Sequence, residues 1–577
     1  MAARHHTLSW SIASLHGDEQ AVGAPLTTTE LTALARTRLF GATGTVLMAI
    51  GALGAGARPV VQDPTFGVRL LNLPSRIQTV SLTMTTTGAV MMALAWLMLG
   101  RFTLGRRRMS RGELDRTLLL WMLPLLIAPP MYSKDVYSYL AQSEIGRDGL
   151  DPYRVGPASG LGLGHVFTLS VPSLWRETPA PYGPLFLWIG RGISSLTGEN
   201  IVAAVLCHRL VVLIGVTLIV WATPRLAQRC GVAEVSALWL GAANPLLIMH
   251  LVAGIHNEAL MLGLMLTGVE FALRGLDMAN TPRPSPETWR LGPATIRASR
   301  RPELGASPRA GASRAVKPRP EWGPLAMLLA GSILITLSSQ VKLPSLLAMG
   351  FVTTVLAYRW GGNLRALLLA AAVMASLTLA IMAILGWVGP AVSDSAGSTR
   401  WAPPMWCAAG CRRRHCWPWA PGTVGILLGL GDHTTAVLSL TRAIGVLIIT
   451  VMVCWLLLAV LRGRLHPIGG LGVALAVTVL LFPVVQPWYL LWAIIPLAAW
   501  ATRPGFRVAA ILATLIVGIF GPTANGDRFA LFPLTGWVRR PAWASATCSP
   551  CRCPACGGRH RRHMVRCSCG SAAESRR

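Results

Sequence analysis

Charge is what this chain has least of. Only 13% of its 577 residues are Asp, Glu, Lys or Arg, whereas 53% are hydrophobic, and the mean hydropathy is +0.52. That leaves too little polar surface for a soluble domain. Strands of alternating polarity are missing as well, which argues against a membrane β-barrel. Lysine is almost absent: Lys134, Lys317 and Lys342 stand alone among abundant Arg. With plentiful Ala, Gly and Pro, that bias points to a GC-rich coding sequence, so surface Arg says little about function. The start has no signal-peptide layout either. His5, His6, Asp18 and Glu19 precede the first apolar run, and residues 1–38 read as a cytoplasmic tail.

What is present is a series of apolar runs of about 15 to 22 residues between Arg-bearing loops, the length a helix needs to cross roughly 30 Å of hydrocarbon. The expected class is an all-α multi-spanning membrane protein with about thirteen transmembrane helices. The formal charge of +29 would suit nucleic acid, but the Arg residues fall in loops and at the C-terminal tail and form no single stripe among aromatics. They read as topology signals. The loop with Arg101, Arg106, Arg107, Arg108, Arg111 and Arg116 is expected to be cytoplasmic.

Spans near 39–57, 79–100 and 117–131 then deliver the loop 132–184 to the extracytoplasmic side. The short run 185–197 reads as an interfacial or re-entrant helix, because a full crossing would put the basic segment 276–322 outside. Spans near 201–222, 235–253 and 259–274 complete a first group over 39–275. Segment 276–322, with nine basic and four acidic residues among many Pro and Ser, reads as a disordered cytoplasmic linker: a solvated tether, with anionic headgroup binding as the competitor. A second group over 323–530 has spans near 324–339, 344–358, 365–387, 442–461, 468–483, 488–502 and 506–521. Arg359, Arg365, Arg462, Arg464, Arg503 and Arg507 all fall at its inner ends.

Two stretches differ abruptly from the rest. Residues 391–421 and 537–577 hold nine of the twelve Cys. Cys548, Cys551, Cys553 and Cys556 superficially resemble a zinc site, and a disulfide framework is a second option. A displaced reading frame accounts for them better. Met405-Trp406-Cys407, read from the preceding base, gives Val-Val, and Cys416 to Ala420 gives Leu, Leu, Ala, an apolar residue and Gly, which continues into Val424-Gly425-Ile426-Leu427. A compensated frameshift over 391–421 and an uncompensated one in the Arg/Cys-rich tail 531–577 are therefore expected, and no site is placed there.

The chemistry gathers in the 132–184 loop, which is polar and rich in Tyr and Pro. It carries Tyr132-Ser133-Lys134-Asp135-Val136-Tyr137-Ser138-Tyr139, then Gly149-Leu150-Asp151-Pro152-Tyr153, then Trp175-Arg176-Glu177-Thr178-Pro179-Ala180-Pro181-Tyr182-Gly183-Pro184. The expected topology brings three further polar clusters to the same outer face: Gly254-Ile255-His256-Asn257-Glu258, Gln340-Val341-Lys342-Leu343-Pro344 and Phe482 to Trp488. Such convergence suits an enzyme handling a polar headgroup on a lipid, or the vestibule of a transporter. Asp135, at the end of the third span, is placed to accept a proton from a hydroxyl nucleophile, with an interfacial cap as the plain reading. Lys134 suits a phosphate or is a simple interfacial cation. His256, Asn257 and Glu258, at a helix start, can cradle a phosphate or a sugar, or only cap the helix. His208 and Arg209 lie inside an apolar run, roughly 10 Å from its outer end at 1.5 Å per residue, where Arg209 suits a phosphodiester or snorkels to the interface. Lys342 is equally a phosphate ligand or an anchor. Tyr137, Tyr139, Tyr153, Trp175, Tyr182 and Trp488 suit an interfacial belt or stacking on sugar rings.

These motifs, in this order and followed by Gly254-Ile255-His256-Asn257-Glu258-Ala259-Leu260-Met261, resemble the actinobacterial polyprenol-phosphate-mannose-dependent α-1,6-mannosyltransferases of the MptB type, over roughly residues 35–530. The resemblance implies a GT-C glycosyltransferase fold in the plasma membrane, with the active site in the first large extracytoplasmic loop. It implies transfer of mannose from polyprenyl-phosphate-mannose to a lipid-linked mannan acceptor with inversion, in lipomannan and lipoarabinomannan biosynthesis. The family's catalytic acid maps onto Asp135, which would deprotonate a mannose 6-hydroxyl. His256, Arg209 and Lys342 would stabilise the phosphate leaving group. Asp151, Tyr153, Glu177 and Tyr182 would line the substrate walls, with Lys134, Tyr137, Tyr139, Asn257, Glu258, Gln486 and Trp488 as further contacts. Many GT-C enzymes have an acidic pair where this chain has Ser133-Lys134-Asp135, so no metal ligands are assigned and a divalent cation stays an open question. A polyprenyl-lipid flippase or transporter is the competing class, although internal repeats are missing. An arabinose-using enzyme of the same fold is the competing substrate.

Overall fold

A computed structural model describes residues 12–17, 19, 23–279, 322–388, 434–481, 486–521, 524 and 526. The two Cys-rich stretches, most of the 276–322 segment and Phe482 to Val485 lie outside the described residues.

The described elements are helical apart from one parallel pairing of two-residue strands, β1 (Ala24–Pro25) on β2 (Arg107–Arg108). The helices of the first group are α1 (Thr28–Ala55), α2 (Arg69–Arg76), α3 (Gln78–Leu104), α4 (Arg111–Ile127), α5 (Asp135–Arg147), α6 (Pro157–Leu161), α7 (Val166–Ser170), α8 (Pro184–Thr197), α9 (Ile201–Arg229), α10 (Glu234–Leu240) and α11 (Glu258–Met278). The second group holds α12 (Trp322–Ser339), α13 (Leu347–Arg359), α14 (Leu364–Val388), α15 (Thr434–Leu461), α16 (Pro467–Leu481), α17 (Leu490–Ala498) and α18 (Pro504–Phe520). Six helical stretches are long and apolar enough to cross a membrane: Thr28–Ala55, Gln78–Leu104, Ile201–Arg229, Glu258–Met278, Leu364–Ile384 and Ser439–Leu461. Large apolar side chains such as Ile127, Leu210, Leu368 and Leu447 point outward, as they do where lipid replaces water.

Several boundaries differ from the hydropathy reading because polar caps extend the helices. Thr27 and Glu30 form a reciprocal capping box, so α1 starts well inside the region expected to be a tail. Ser110 and Glu113 do the same for α4, which ends at Ile127, before the expected 131. The expected span 235–253 is not one helix. Pro245 has no N–H to continue the ladder. Asn244 takes over, its Oδ1 accepting from the Leu246 N–H at 2.9 Å and its Nδ2 donating to the Leu240 carbonyl and to Thr514 Oγ1. The chain then winds as a π-helical turn over Leu247–Ala253.

Small residues bring helices into close contact, the usual device where lipid removes the hydrophobic drive. A Cβ on Gly44 would meet the Gly88 carbonyl of α3, and one on Gly268 would meet the Gly331 carbonyl of α12. Trp96 of α3 and Trp239 of α10 exchange indole N–H bonds to each other's carbonyls at 2.9 and 2.8 Å. Helix α11 is the most enclosed, with 89% of its apolar window buried against 17% for α14.

One end of the bundle gathers the basic residues. There Arg229 pairs with Glu270 and Asp277, and Arg359 with Asp277. Residues 12–17 and Glu19, read as part of a plain tail, lie across this end. His16 stacks on Trp500, the Leu15 carbonyl accepts from the N–H groups of Thr502 and Arg503, and Glu19 is shared by Arg108, Arg507 and Ser236.

Candidate active site

The opposite end collects the polar clusters that the sequence singles out. The chain leaves α4, passes Tyr132 in a left-handed backbone conformation (φ 64°), and enters α5 at Asp135, whose N–H is capped by Ser133 Oγ at 3.0 Å. Backbone bonds fix this entry: the Met131 N–H donates to the Ala253 carbonyl of the π-turn and the Tyr132 N–H to the Ala524 carbonyl. On the other side the π-turn releases the chain through Ile255 at φ 58°. A β-branched residue there is strained by on the order of 1–3 kcal/mol, and such strain with a π-turn beside it recurs at functional sites.

The strained turn aims His256 and Glu258 at Asp135. His256 Nδ1 lies 3.5 Å from Asp135 Oδ2 and 3.9 Å from Glu258 Oε2. Glu258 Oε1 forms an ion pair with Lys342 and accepts the Trp488 indole N–H at 2.9 Å. The Trp488 ring lies on the His256 ring, and Lys342 Nζ sits 5.0 Å above the Tyr489 ring. Residues from the loop, from α11 and from the second helix group therefore form one continuous cluster, as the shared-face expectation requires.

Burial sorts the acids. The Glu258 side chain is 0% exposed, whereas that of Asp135 keeps 31% and is the carboxylate open to an incoming substrate. Desolvation, reinforced by the Glu258 charge, raises the Asp135 carboxyl to about 6 against the opposing pull of Lys342 and Ser133. Desolvation, then Lys342, hold His256 well below the usual imidazole range, so it is neutral. Burial opposes the Lys342 charge, but Glu258 outweighs it and the ammonium is held above its ordinary range. Among the described residues no three His, Cys, Asp or Glu side chains are grouped as a metal ion needs.

The other expected residues fall into two sets. Tyr139 meets Tyr182 and Phe186 edge to face at 4.9 Å, and Tyr153 donates to the Tyr182 carbonyl at 3.0 Å, so these tyrosines form a wall beside Asp135. That wall is tied to the second group by Gly183 N–H to Val341 O and Leu185 N–H to Gln340 O, both 3.1 Å. Gln486 precedes the turn bearing Trp488, and Lys134 precedes α5. The remainder make contacts away from the cluster. Asp151 caps the Tyr153 N–H and pairs with Arg154, and Glu177 accepts from Ser159. Tyr137 donates to the Ala57 carbonyl, and Arg209 to the Leu126 carbonyl, with Arg209 Nε and Nη2 left without a partner among the described residues. Asn257 is buried with both amide atoms unpartnered.

Sequence reasoning missed His250, Tyr132 and Tyr489. His250 is buried, its ring 5.3 Å from Trp488 and 5.5 Å from Tyr132. A histidine inside an apolar run is itself a signal, and Pro245 shortly before it marks the broken helix.

A family model described as the N-terminal domain of alpha-(1->6)-mannopyranosyltransferases matches residues 38–358, and one described as the MptB C-terminal domain matches residues 419–544. The chain is 93% identical over 542 residues to an alpha-(1->6)-mannopyranosyltransferase of Mycobacterium tuberculosis, covering 92% of this chain and 90% of that protein. It is 36% identical over 494 residues to alpha-(1->6)-mannopyranosyltransferase B of Corynebacterium glutamicum, covering 82% of this chain and 74% of that protein. Alpha-(1->6)-mannopyranosyltransferase A of Mycobacterium tuberculosis is 30% identical over 538 residues, covering 88% and 87%. No solved structure matches the chain. With the site's residues assembled from both matched regions, the chain belongs to the alpha-(1->6)-mannopyranosyltransferase family and is a glycosyltransferase.

Proposed function

We propose that this membrane glycosyltransferase moves mannose from polyprenyl-phosphate-mannose to a lipid-linked mannan acceptor, forming an α-1,6 linkage with inversion. The setting is lipomannan and lipoarabinomannan biosynthesis at the extracytoplasmic face of the plasma membrane, on a GT-C fold with about thirteen spans. The observation that carries the reading is Asp135: an accessible carboxylate of raised proton affinity, at the edge of a cluster drawn from both halves of the chain.

Asp135 takes the proton of an acceptor 6-hydroxyl, and a group with a pKa near the working pH does this best. The freed oxygen bonds to the anomeric carbon of a β-mannosyl phosphate. The bond from that carbon to the phosphate oxygen breaks, and its electron pair leaves with polyprenyl phosphate. Attack opposite the leaving group converts β to α. Tyr139, Tyr153 and Tyr182 form the wall against which sugars stack. The leaving phosphate needs a cation. His256, Lys342 and Arg209 are the candidates: the first two lie in the cluster beside Asp135, while Arg209 is buried outside it, with Nε and Nη2 unpartnered among the described residues.

The test is transfer of radiolabelled mannose from polyprenyl phosphate in membranes carrying the wild type or Asp135→Asn. Loss of transfer in the variant at equal protein level is expected. Robust transfer by it would remove Asp135 as base.

A further inference from the structure

The sequence offers Glu258 as a substrate contact, but its place in the structure is different. The side chain is fully buried, its Oε2 3.9 Å from the same His256 nitrogen that lies 3.5 Å from Asp135. We infer that Glu258 is a positioning residue for the transfer: it fixes His256 and Lys342 so that together they set the charge state in which Asp135 meets the acceptor hydroxyl. This rests on the reading of Asp135 as the base.

Glu258 Oε1 is held by Lys342 and by the Trp488 N–H, and Trp488 is the ring on which His256 is stacked. One carboxylate therefore anchors both the cation of the cluster and the platform of the imidazole. Among the described residues its second oxygen has no hydrogen-bond partner, and neither ring nitrogen of His256 has one. His256 Nδ1 stands between two carboxylates, 3.5 Å from Asp135 and 3.9 Å from Glu258. That favours the tautomer with hydrogen on Nδ1. From the stacked position a single N–H on Nδ1 lies near both carboxylates, so it offsets charge on either without the ring moving.

The titratable groups facing Asp135 are His256 and Glu258 from the start of α11, Lys342 from the turn after α12, Tyr489 from the turn before α17, Tyr182 from the loop's end and Tyr139 on α5 itself. Desolvation raises the Tyr139 and Tyr182 phenols and lowers His256, which leaves the Glu258–Lys342 ion pair as the charge beside Asp135 in this set. Their balance, one raising and one lowering the Asp135 carboxyl, acts on it directly through space.

The experiment measures kcat/KM against pH for the full chain in membranes, with wild type, Glu258→Gln, Lys342→Met, Lys342→Arg and the Glu258→Gln/Lys342→Met double variant. Removing a like charge is expected to move the acid limb of Glu258→Gln down by about one pH unit. Lys342→Met should move it up, Lys342→Arg should restore it, and the double variant should fall between the singles even where one single does not accumulate. Uniform loss of activity with an unmoved limb overturns the inference and leaves Glu258 a structural residue. A donor KM raised tenfold with an unmoved limb also overturns it, in favour of direct substrate contact. Full activity in Asp135→Asn, measured alongside, separates failure of the base reading from failure of this one.

Discussion

The indole of Trp488 lies on the imidazole of His256, with ring centroids 3.7 Å apart and planes 23° from parallel. The two come from different halves of the chain, so the cluster exists only when both halves pack. Trp488→Phe keeps a stacking face but removes the donor to Glu258, costing on the order of 2 kcal/mol for a hydrogen bond to a charged group. Trp488→Leu removes both and is expected to lower mannosyl transfer further. Equal losses in the two variants would show that stacking does not hold His256.

The pH dependence follows from Asp135. As the proposed general base it works only when deprotonated, and burial raises its carboxyl to about 6. Activity is expected to fall about tenfold per pH unit below that value and to level off above it. For stability the sign is the reverse of an ion-paired aspartate. A carboxyl raised from 3.8 to about 6 binds more protons folded than unfolded, so stability declines as pH rises across that window. Asp135→Asn should therefore lose turnover without a lower Tm near neutral pH, checked by thermal unfolding in detergent.

Gly183 is needed for space, not for an unusual backbone angle. A Cβ there would run into the Gln340 carbonyl, at the point where the tyrosine wall is bonded to the second helix group. Gly183→Ala is expected to destabilise by about 1–3 kcal/mol, as overpacking does, and to raise the KM for acceptor. An unchanged Tm and KM would show that the wall docks elsewhere.

At the basic end, Glu19 is 8% exposed and lies between Arg108 at 3.2 Å and Arg507 at 2.8 Å. Glu19→Gln removes the carboxylate that the two guanidinium groups share and should cost about 3 kcal/mol, the lower range for a buried pair. Thermal unfolding of the variant checks this, and no change in Tm would mean that the segment is not docked in the membrane.

The reading-frame proposal is open to a direct check. The second family match begins at 419, close to where the frame is expected to return, and ends at 544, close to where the second displacement is expected to begin. Resequencing the coding DNA should find compensating insertions or deletions around 391–421 and one near 537. Continuous frames through both would end the idea.

Much of the site was legible because its chemistry interrupts apolar sequence. Asp135, His256, Glu258, Lys342 and Trp488 are polar or amphipathic residues at the ends of hydrophobic runs, and parity of the spans brings them to one face. What parity does not give is pairing. That Glu258 pairs with Lys342 and Trp488 depends on side-chain directions set by the π-turn and by Ile255, and no periodicity encodes these. Asp151 and Glu177 look equally chemical in sequence, yet they satisfy nearby backbone and hydroxyl groups. Helix starts were misjudged at α1 and α4 because hydropathy ignores capping boxes, whose residues are polar.

The segment over residues 12–19 also constrains how the molecule is made. His16 is made 484 positions before Trp500, and Glu19 488 positions before Arg507, the residues that hold them. The early helices can insert and pair as they emerge, but this end of the bundle cannot close until synthesis has passed Arg507.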